Sequence, residues 1–583
     1  MNAANAQPIA ALPPREAAVL MPCWLVGLCL LISFCGIFNR ELWTPDEPRE
    51  AAIILAMSRA GHDLVPQLAG QPFVEKPPLY YLMSAGWLRL GGAVGHSAGW
   101  LRLSSALWGL GTLGMTFLLA RRLYDRPTAR LAVVILATMP GFIHVTHWLL
   151  VDNALMFFLV ATCWALAAAY QGQRPGFLLL AGLFAAGAFL TKGLIGPAFV
   201  GLGWLGLFIP WRRDRNASRI TPHSSFDPPP SSPITPHSLL SSQFAFHLLA
   251  ALVFLAPVLA WAVAFHAAAG PALFMEWFWT NHVGRFSGAA AQLGHIAGPW
   301  YYLGALPVYV LPWLALLACG LGRVAQDIRT RAPLATGLLL PLAWGLGGLL
   351  LLSLSATKRE IYLSALLPAL ALLAAQTLRR PLPRWADVYH RVATLILLLA
   401  GAAALVAVGW LAAPTQAAAG LLNSKWVWLL TALLAMAAGL VCWRHSRLTV
   451  LARAASATAL AAIALLTLAG PTLDPWKNYG PAFTAFAREL QAQPALRPVA
   501  WDLDETTRAG FYWYTGRIFP ALRAASELQD VLQGRHPSAN AIVRCRKDQA
   551  APSPGLDQAR VLIETPMGPR RTLQLLAGPA VKQ

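Results

Sequence analysis

The sequence predicts an α-helical polytopic membrane protein of about thirteen transmembrane helices, ending in a small α/β domain outside the membrane. Three observations carry that expectation. Only 12% of the 583 residues are charged, about half the roughly 25% usual in soluble domains. Apolar runs of 18 or more residues recur along most of the chain, each long enough for a ~30 Å hydrocarbon core. The arginine-rich stretches between those runs fall in phase, as they do when basic loops all stay on the cytoplasmic side.

Helices are expected at about 17–37, 98–120, 129–150, 153–171, 175–191, 194–211, 244–267, 298–320, 334–355, 361–378, 392–413, 426–443 and 449–470. The first run follows Arg15 like a signal-peptide core, but no small-residue cleavage site comes after it, so it is read as a retained helix. The loops "RRLYDRPTAR" (121–130), "QGQR" (171–174), "WRRDRNASR" (211–219), "GRVAQDIRTR" (322–331), "RRPLPRWADVYHR" (379–391) and "RHSRLTVLAR" (444–453) then share one face. That face is the cytoplasm, which puts the N-terminus inside and the C-terminus outside. The formal charge of +20 is thereby read as loop arginine, with no nucleic-acid partner expected.

Residues 1–470 are expected to form the membrane domain, with an external loop over about 38–97. The Pro/Ser-rich stretch 220–243 reads as a disordered cytoplasmic loop. In the tail 471–583, "RPVAWDL" and "ANAIVRCRK" read as strands, "ETTRAGFYWYTG" and "AASELQDVLQG" as helices. Six of the seven cysteines lie in apolar runs, where they pack as small residues. Cys545 stands alone in the tail, and no CxxC or HExxH spacing occurs. No metal or cofactor is expected.

The charges that do not report topology fall on the opposite, external face. Ionisable groups near bilayer depth are costly, so such a cluster marks a functional site by default. "TPDE" at 44–47 reads as a helix start, with Thr44 as N-cap, Pro45 in the first turn and Glu47 closing a capping box. The box needs one acid, which leaves Asp46 over. Arg49 and Glu50 share its helix face, and Arg49 either holds Asp46 ionised or forms a plain salt bridge with it. In "FVEKPPLYY" (73–81) two prolines keep the backbone non-helical behind Lys76; the lysine either snorkels or meets a phosphate, with Tyr80 behind it.

Asp152 opens an apolar helix, as a cap or as a site acid. Lys192 stands at a helix break that Gly193 and Gly196 permit. "EWFWTNHVGRF" offers His282 and Arg285, with Glu276 and His295 the further candidates if a metal is held. "ATKREIY" places Lys358 and Arg359 against the positive-inside trend, which calls for an anionic partner such as a lipid phosphate, with Tyr362 one turn below.

Taken in order, "WTPDEPREAAIILAMSRAGHDLVPQLAGQPFVEKPPLYY", "VDNALMFF", "FLTKGLIGP", "WFWTNHVGRF", "GPWYYLGALPVYVLPW" and "ATKREIYLSALLPALALL" resemble the bacterial GT-C glycosyltransferases. The resemblance is greatest to the aminoarabinose transferases acting on lipid A, kin to protein O-mannosyltransferases, and covers about residues 17 to 380. It implies a GT-C fold in the bacterial inner membrane with a periplasmic C-terminal domain. It implies transfer of a sugar, with inversion, from a polyprenyl-phosphate donor to a lipid or protein acceptor at the periplasmic face. Asp46 would then be the catalytic carboxylate and Asp152 the second acid. Arg49, Lys76, Lys192, Arg285 and Lys358 would face the donor phosphate, with Glu47, Tyr80, His282, Arg359 and Tyr362 among the substrate-binding residues. A membrane transporter or flippase for a lipid-linked or anionic substrate also needs charges in a membrane. It would show related halves and ionisable groups near the midplane, and this chain shows neither an internal repeat nor midplane charge.

Overall fold

In a bilayer each backbone polar group must be satisfied within its own segment, so apolar runs fold as helices. The computed structural model describes residues 22–60, 64–91, 98–172, 174–220, 236–290, 294–332, 334, 336–411, 458, 462, 474, 476–538, 540–546, 559–568 and 571–578. Its helices begin with α1 (Pro22–Phe34), α2 (Asp46–Ala60), α3 (Leu79–Gly91), α4 (Ala98–Leu123), α5 (Arg126–Ala137), α6 (Pro140–Thr146), α7 (Asp152–Gln171), α8 (Phe177–Lys192), α9 (Ile195–Ile220) and α10 (Pro236–Met275). They continue with α11 (Arg285–Ser287), α12 (Tyr301–Val310), α13 (Leu314–Arg329), α14 (Thr336–Leu354), α15 (Leu367–Thr377), α16 (Arg384–Leu411), α17 (Gly480–Ala492), α18 (Glu505–Thr515) and α19 (Ala525–Leu532).

The chain folds as two units. The first comprises residues 1–35, 74–80 and 103–467. Among its described residues, six helices are long and apolar enough to cross a bilayer, or up to eight if each bent pair is one span. Two expected single helices prove to be such pairs. The segment expected at 129–150 bends by 66° between α5 and α6, where Pro140 can donate no hydrogen bond. The one expected at 298–320 bends by 116° between α12 and α13 around Pro312. The helices expected at 426–443 and 449–470 lie outside the described residues, apart from Thr458 and Ala462. Of the expected loop 220–243, residues 221–235 also lie outside them. Residues 236–243, by contrast, are the first turns of α10, with Pro236 at its start and two leucines close behind.

Helix α15 is apolar all round and almost wholly buried in the core of this unit, which also draws on α5, α7 and α13. Small residues bring neighbours close, as they do where helices pack without a hydrophobic driving force. A Cβ on Gly182 of α8 would meet the carbonyl of Ala250 in α10 at 2.3 Å.

The second unit gathers residues 36–73 and 81–102 with 468–583. The expected boundary at 470 assigned the external loop to the membrane domain; here most of that loop belongs with the C-terminal segment. The reason is long-range hydrogen bonding. Trp43 Nε1 and the Glu41 N–H donate to Asp474, at 3.1 and 3.2 Å, and the Thr44 N–H donates to the Lys477 carbonyl. A short hairpin pairs β1 (Gln67–Leu68) with β2 (Gln71–Pro72). The C-terminal segment builds a four-stranded sheet from β3 (Val499–Trp501), β4 (Asn540–Arg546), β5 (Arg560–Pro566) and β6 (Arg571–Ala577), in the order β3-β4-β6-β5. Strand β3 runs parallel to β4 and the other pairs are antiparallel. The two strands and two helices expected here are β3, β4, α18 and α19. Strands β5 and β6 and helices α3 and α17 were not among the expected elements.

Candidate functional site

A cavity of about 370 Å³ opens in the first unit. It lies where segment 74–80, the start of α7, the α8–α9 break, a π-helical turn (Glu276–Gly284) and the loop after α14 come together. Its lining is of two kinds. Glu75, Lys76, Asp152, Lys192, His282 and Arg285 supply ionisable groups, while Leu194, Ile195, Ala198, Phe199, Leu351 and Leu352 supply an apolar wall. Three cations stand against two carboxylates, an excess of one positive charge with the histidine neutral.

Each group is placed by its own element. Asp152 is the first residue of α7 and only 2% exposed. Helix α7 has no side-chain cap; the Asp152 carboxylate is turned to Lys192, the last residue of α8, and the two form an ion pair. The Lys192 ammonium also stands 4.5 Å from the centre of the Tyr362 ring, a cation–π contact. Gly193 follows with φ +70°, open to glycine and strained for other residues. A Cβ there would lie 1.9 Å from Nε2 of His282. The imidazole therefore packs onto the break itself, and its Nδ1 donates to the Trp277 carbonyl at 2.7 Å within the π-helical turn. Such turns recur at functional sites because they re-aim a side chain off the regular helix.

Arg285 closes the other side, its Nη2 2.6 Å from Glu75 Oε1. Pro77 and Pro78 keep segment 74–78 out of a helix, and Asn281 Nδ2 donates to the Val74 carbonyl at 3.4 Å. The loop 355–358 is laced to residues 285–297 through Thr357 Oγ1 to the Arg285 carbonyl (3.3 Å), Ala356 N–H to Phe286 and Lys358 N–H to His295.

The cavity thus brings together Lys76, Asp152, Lys192, His282, Arg285 and Tyr362 of the expected residues. Lys358 is not in its lining: 3% exposed, its ammonium donates to the carbonyls of Ala297 (3.0 Å) and Ser355. It clamps two loops where a phosphate contact was expected. Tyr80 is wholly buried, and neither it nor Arg359 lines the cavity. Glu276 and His295 do not line it either, and among the described residues no three His, Cys, Asp or Glu side chains are grouped to hold a metal. Sequence reasoning missed Glu75 as a site residue, because its partner Arg285 is 210 residues away. It missed the apolar wall because hydropathy marks those residues only as helix.

Asp46, Glu47 and Arg49 belong to the second unit. Glu47 is 0% exposed. Its carboxylate accepts from Arg102 Nε at 2.9 Å, from both Arg40 Nη groups and from the Trp43 N–H at 2.8 Å. The reach back to the chain is one residue longer than the capping box expected from Thr44, and the acid serves the fold rather than a ligand. Burial alone pushes its carboxyl up; the Arg102 and Arg40 guanidinium groups outweigh that and hold it down at about 2. Asp46 is the first residue of α2, and Arg49 Nη1 stands 4.0 Å from its Oδ1.

Residues 75–223 match the family described as dolichyl-phosphate-mannose-protein mannosyltransferase. The chain is 33% identical over 367 residues to an undecaprenyl phosphate-α-4-amino-4-deoxy-L-arabinose arabinosyl transferase of Pseudomonas aeruginosa (strain UCBPP-PA14), a match covering 60% of this chain and 59% of that protein. It therefore spans less than two thirds of the length of that relative. Among solved structures it is similar to ArnT from Cupriavidus metallidurans in the apo state (TM-score 0.69, 19% identity). It is also similar to the same protein bound to undecaprenyl phosphate (TM-score 0.67, 20% identity). Both matches cover 97% of this chain and 100% of that one, so the two chains share a fold.

Proposed function

From these matches we propose that the chain is an inverting glycosyltransferase. It moves a sugar from a polyprenyl-phosphate donor, undecaprenyl phosphate first among the candidates, to lipid A or another envelope glycan or protein at the periplasmic face. The single observation that supports this most is the cavity of the first unit, where three cationic groups share a space with an apolar wall. A prenyl phosphate asks for both: charge for its headgroup and a greasy track for the first isoprene units.

In the reaction an acceptor oxygen attacks the anomeric carbon from the face opposite the phosphate. The bond from that carbon to the phosphate oxygen breaks, and its electron pair leaves with the prenyl phosphate. Negative charge grows on that oxygen, and Lys76, Lys192 and Arg285 are cations of the kind that stabilise it, charge-assisted hydrogen bonds contributing about 1.5–3 kcal/mol each. Asp152 keeps Lys192 in place, and Glu75 does the same for Arg285. Asp46 is the carboxylate proposed to orient or deprotonate the acceptor. Thirteen spans, a cytoplasmic N-terminus and a periplasmic tail complete the reading.

Mass spectrometry of lipid A and of periplasmic glycoproteins, in cells with and without the gene and with Asp46→Asn, tests it. A sugar-sized mass gained only with the wild-type gene is expected. Identical products in all three strains would sink the proposal.

A further inference from the structure

The C-terminal segment meets the chain around the proposed catalytic acid at the Arg49 side chain and at the Pro45 carbonyl. Arg49 stands one helical turn beyond Asp46, but its nearer carboxylate is Glu505, with Nη2 2.7 Å from Oε2 against 4.0 Å from Nη1 to Asp46 Oδ1. The Phe73 ring lies under the same guanidinium, 5.6 Å from its carbon. Arg49 is thus held from three sides, two of them anionic.

Glu505 does not wander into this place. It follows Asp504, the N-cap of α18, whose carboxylate accepts from the N–H and hydroxyl of Thr507 and pairs with Arg544 and Arg571 on the sheet. The next residue, Thr506, donates its hydroxyl to the Pro45 carbonyl at 3.2 Å, immediately before Asp46. One helical turn of the C-terminal segment therefore grips both the backbone leading into Asp46 and the arginine beside it. A long arginine side chain, 20% exposed, has many rotamers to choose from, and a fixed carboxylate removes most of them.

We propose that Glu505 is a positioning residue for Asp46: it fixes Arg49 so that the second Nη group stays facing the Asp46 carboxylate. The C-terminal segment is then part of the catalytic apparatus. This rests on the reading of Asp46 as the acid of a sugar transferase. Because the Glu505 carboxylate is 45% exposed, the coupling has the size of a partly exposed pair, about fivefold in rate at most.

The test uses the full chain in proteoliposomes, with undecaprenyl-phosphate aminoarabinose as donor and lipid A as acceptor, comparing wild type, Glu505→Gln, Glu505→Asp and Asp46→Asn. Expected are a kcat in Glu505→Gln lowered about fivefold with the donor KM and unfolding temperature unchanged, and recovery of most of that loss in Glu505→Asp. A Glu505→Gln enzyme with wild-type kcat, beside an inactive Asp46→Asn, overturns this inference alone. So does a loss in Glu505→Gln that tracks lost folded protein and that aspartate does not repair. An Asp46→Asn enzyme as active as wild type overturns the reading of Asp46 as the acid of the transferase, and this inference with it.

Discussion

Removing Lys192 by Lys192→Met leaves Asp152, only 2% exposed, without the ammonium it is paired with. Breaking a buried ion pair from one side costs about 3–5 kcal/mol, because the remaining charge has no partner and little water. The Lys192 side chain is 14% exposed and that of Asp152 3%, so the low end applies, about 3 kcal/mol. Unfolding in detergent micelles, followed by heat or denaturant, should show that loss. The double variant Asp152→Asn/Lys192→Met removes both charges and should recover most of the stability. Binding of undecaprenyl phosphate should stay weak in both, since the cation is gone in each. Two results would refute the reasoning. A single variant as stable as wild type would mean that the pair is not effectively buried. A double variant that binds the lipid normally would mean that the pair only holds the fold.

Three further outcomes follow from the same geometry. Gly193→Ala meets a left-handed φ and the His282 ring at once, and should lose about 1–3 kcal/mol with weaker lipid binding; normal binding in thermal-shift titrations would contradict it. Glu47, held at about 2 against an ordinary 4.5, contributes stability that is full above pH 4.5 and lost as pH falls through 2, about 3 kcal/mol in all. Hydrogen exchange of residues 40–60, corrected for intrinsic rates, should show that slope in wild type and not in Glu47→Gln. Lys358→Met should strand two carbonyls and cost about 1–3 kcal/mol while surviving protein still binds lipid, whereas Arg285→Ala, in a pair about one-fifth exposed, should weaken binding and cost under about 1 kcal/mol.

What the sequence could and could not reveal follows the range of the interactions. Hydropathy is local, so helices such as α7 and α8 were legible to within a residue or two, and Lys192 was legible as a charge at a break because Gly193 follows it. Bends were not: a run through Pro140 or Pro312 stays apolar across the break, and only the geometry shows the turn. Pairings were least legible. Asp152 finds Lys192 40 residues on, Glu75 finds Arg285 210 residues on, and Trp43 finds Asp474 431 residues on. Lys358 shows the cost of reading sign without geometry, since its charge broke the topology rule and suggested a phosphate, while its ammonium is fixed on two carbonyls. Glu47 misled in the same way, as an acid beside the candidate catalytic one that proves to be the centre of a buried arginine cluster.

The claim that the cavity of the first unit holds a prenyl phosphate is met most directly by native mass spectrometry of the purified protein with undecaprenyl phosphate. Wild type should carry one lipid, and Lys76→Ala and Arg285→Ala should each lose most of it while remaining folded. Equal lipid occupancy in all three proteins would contradict the account.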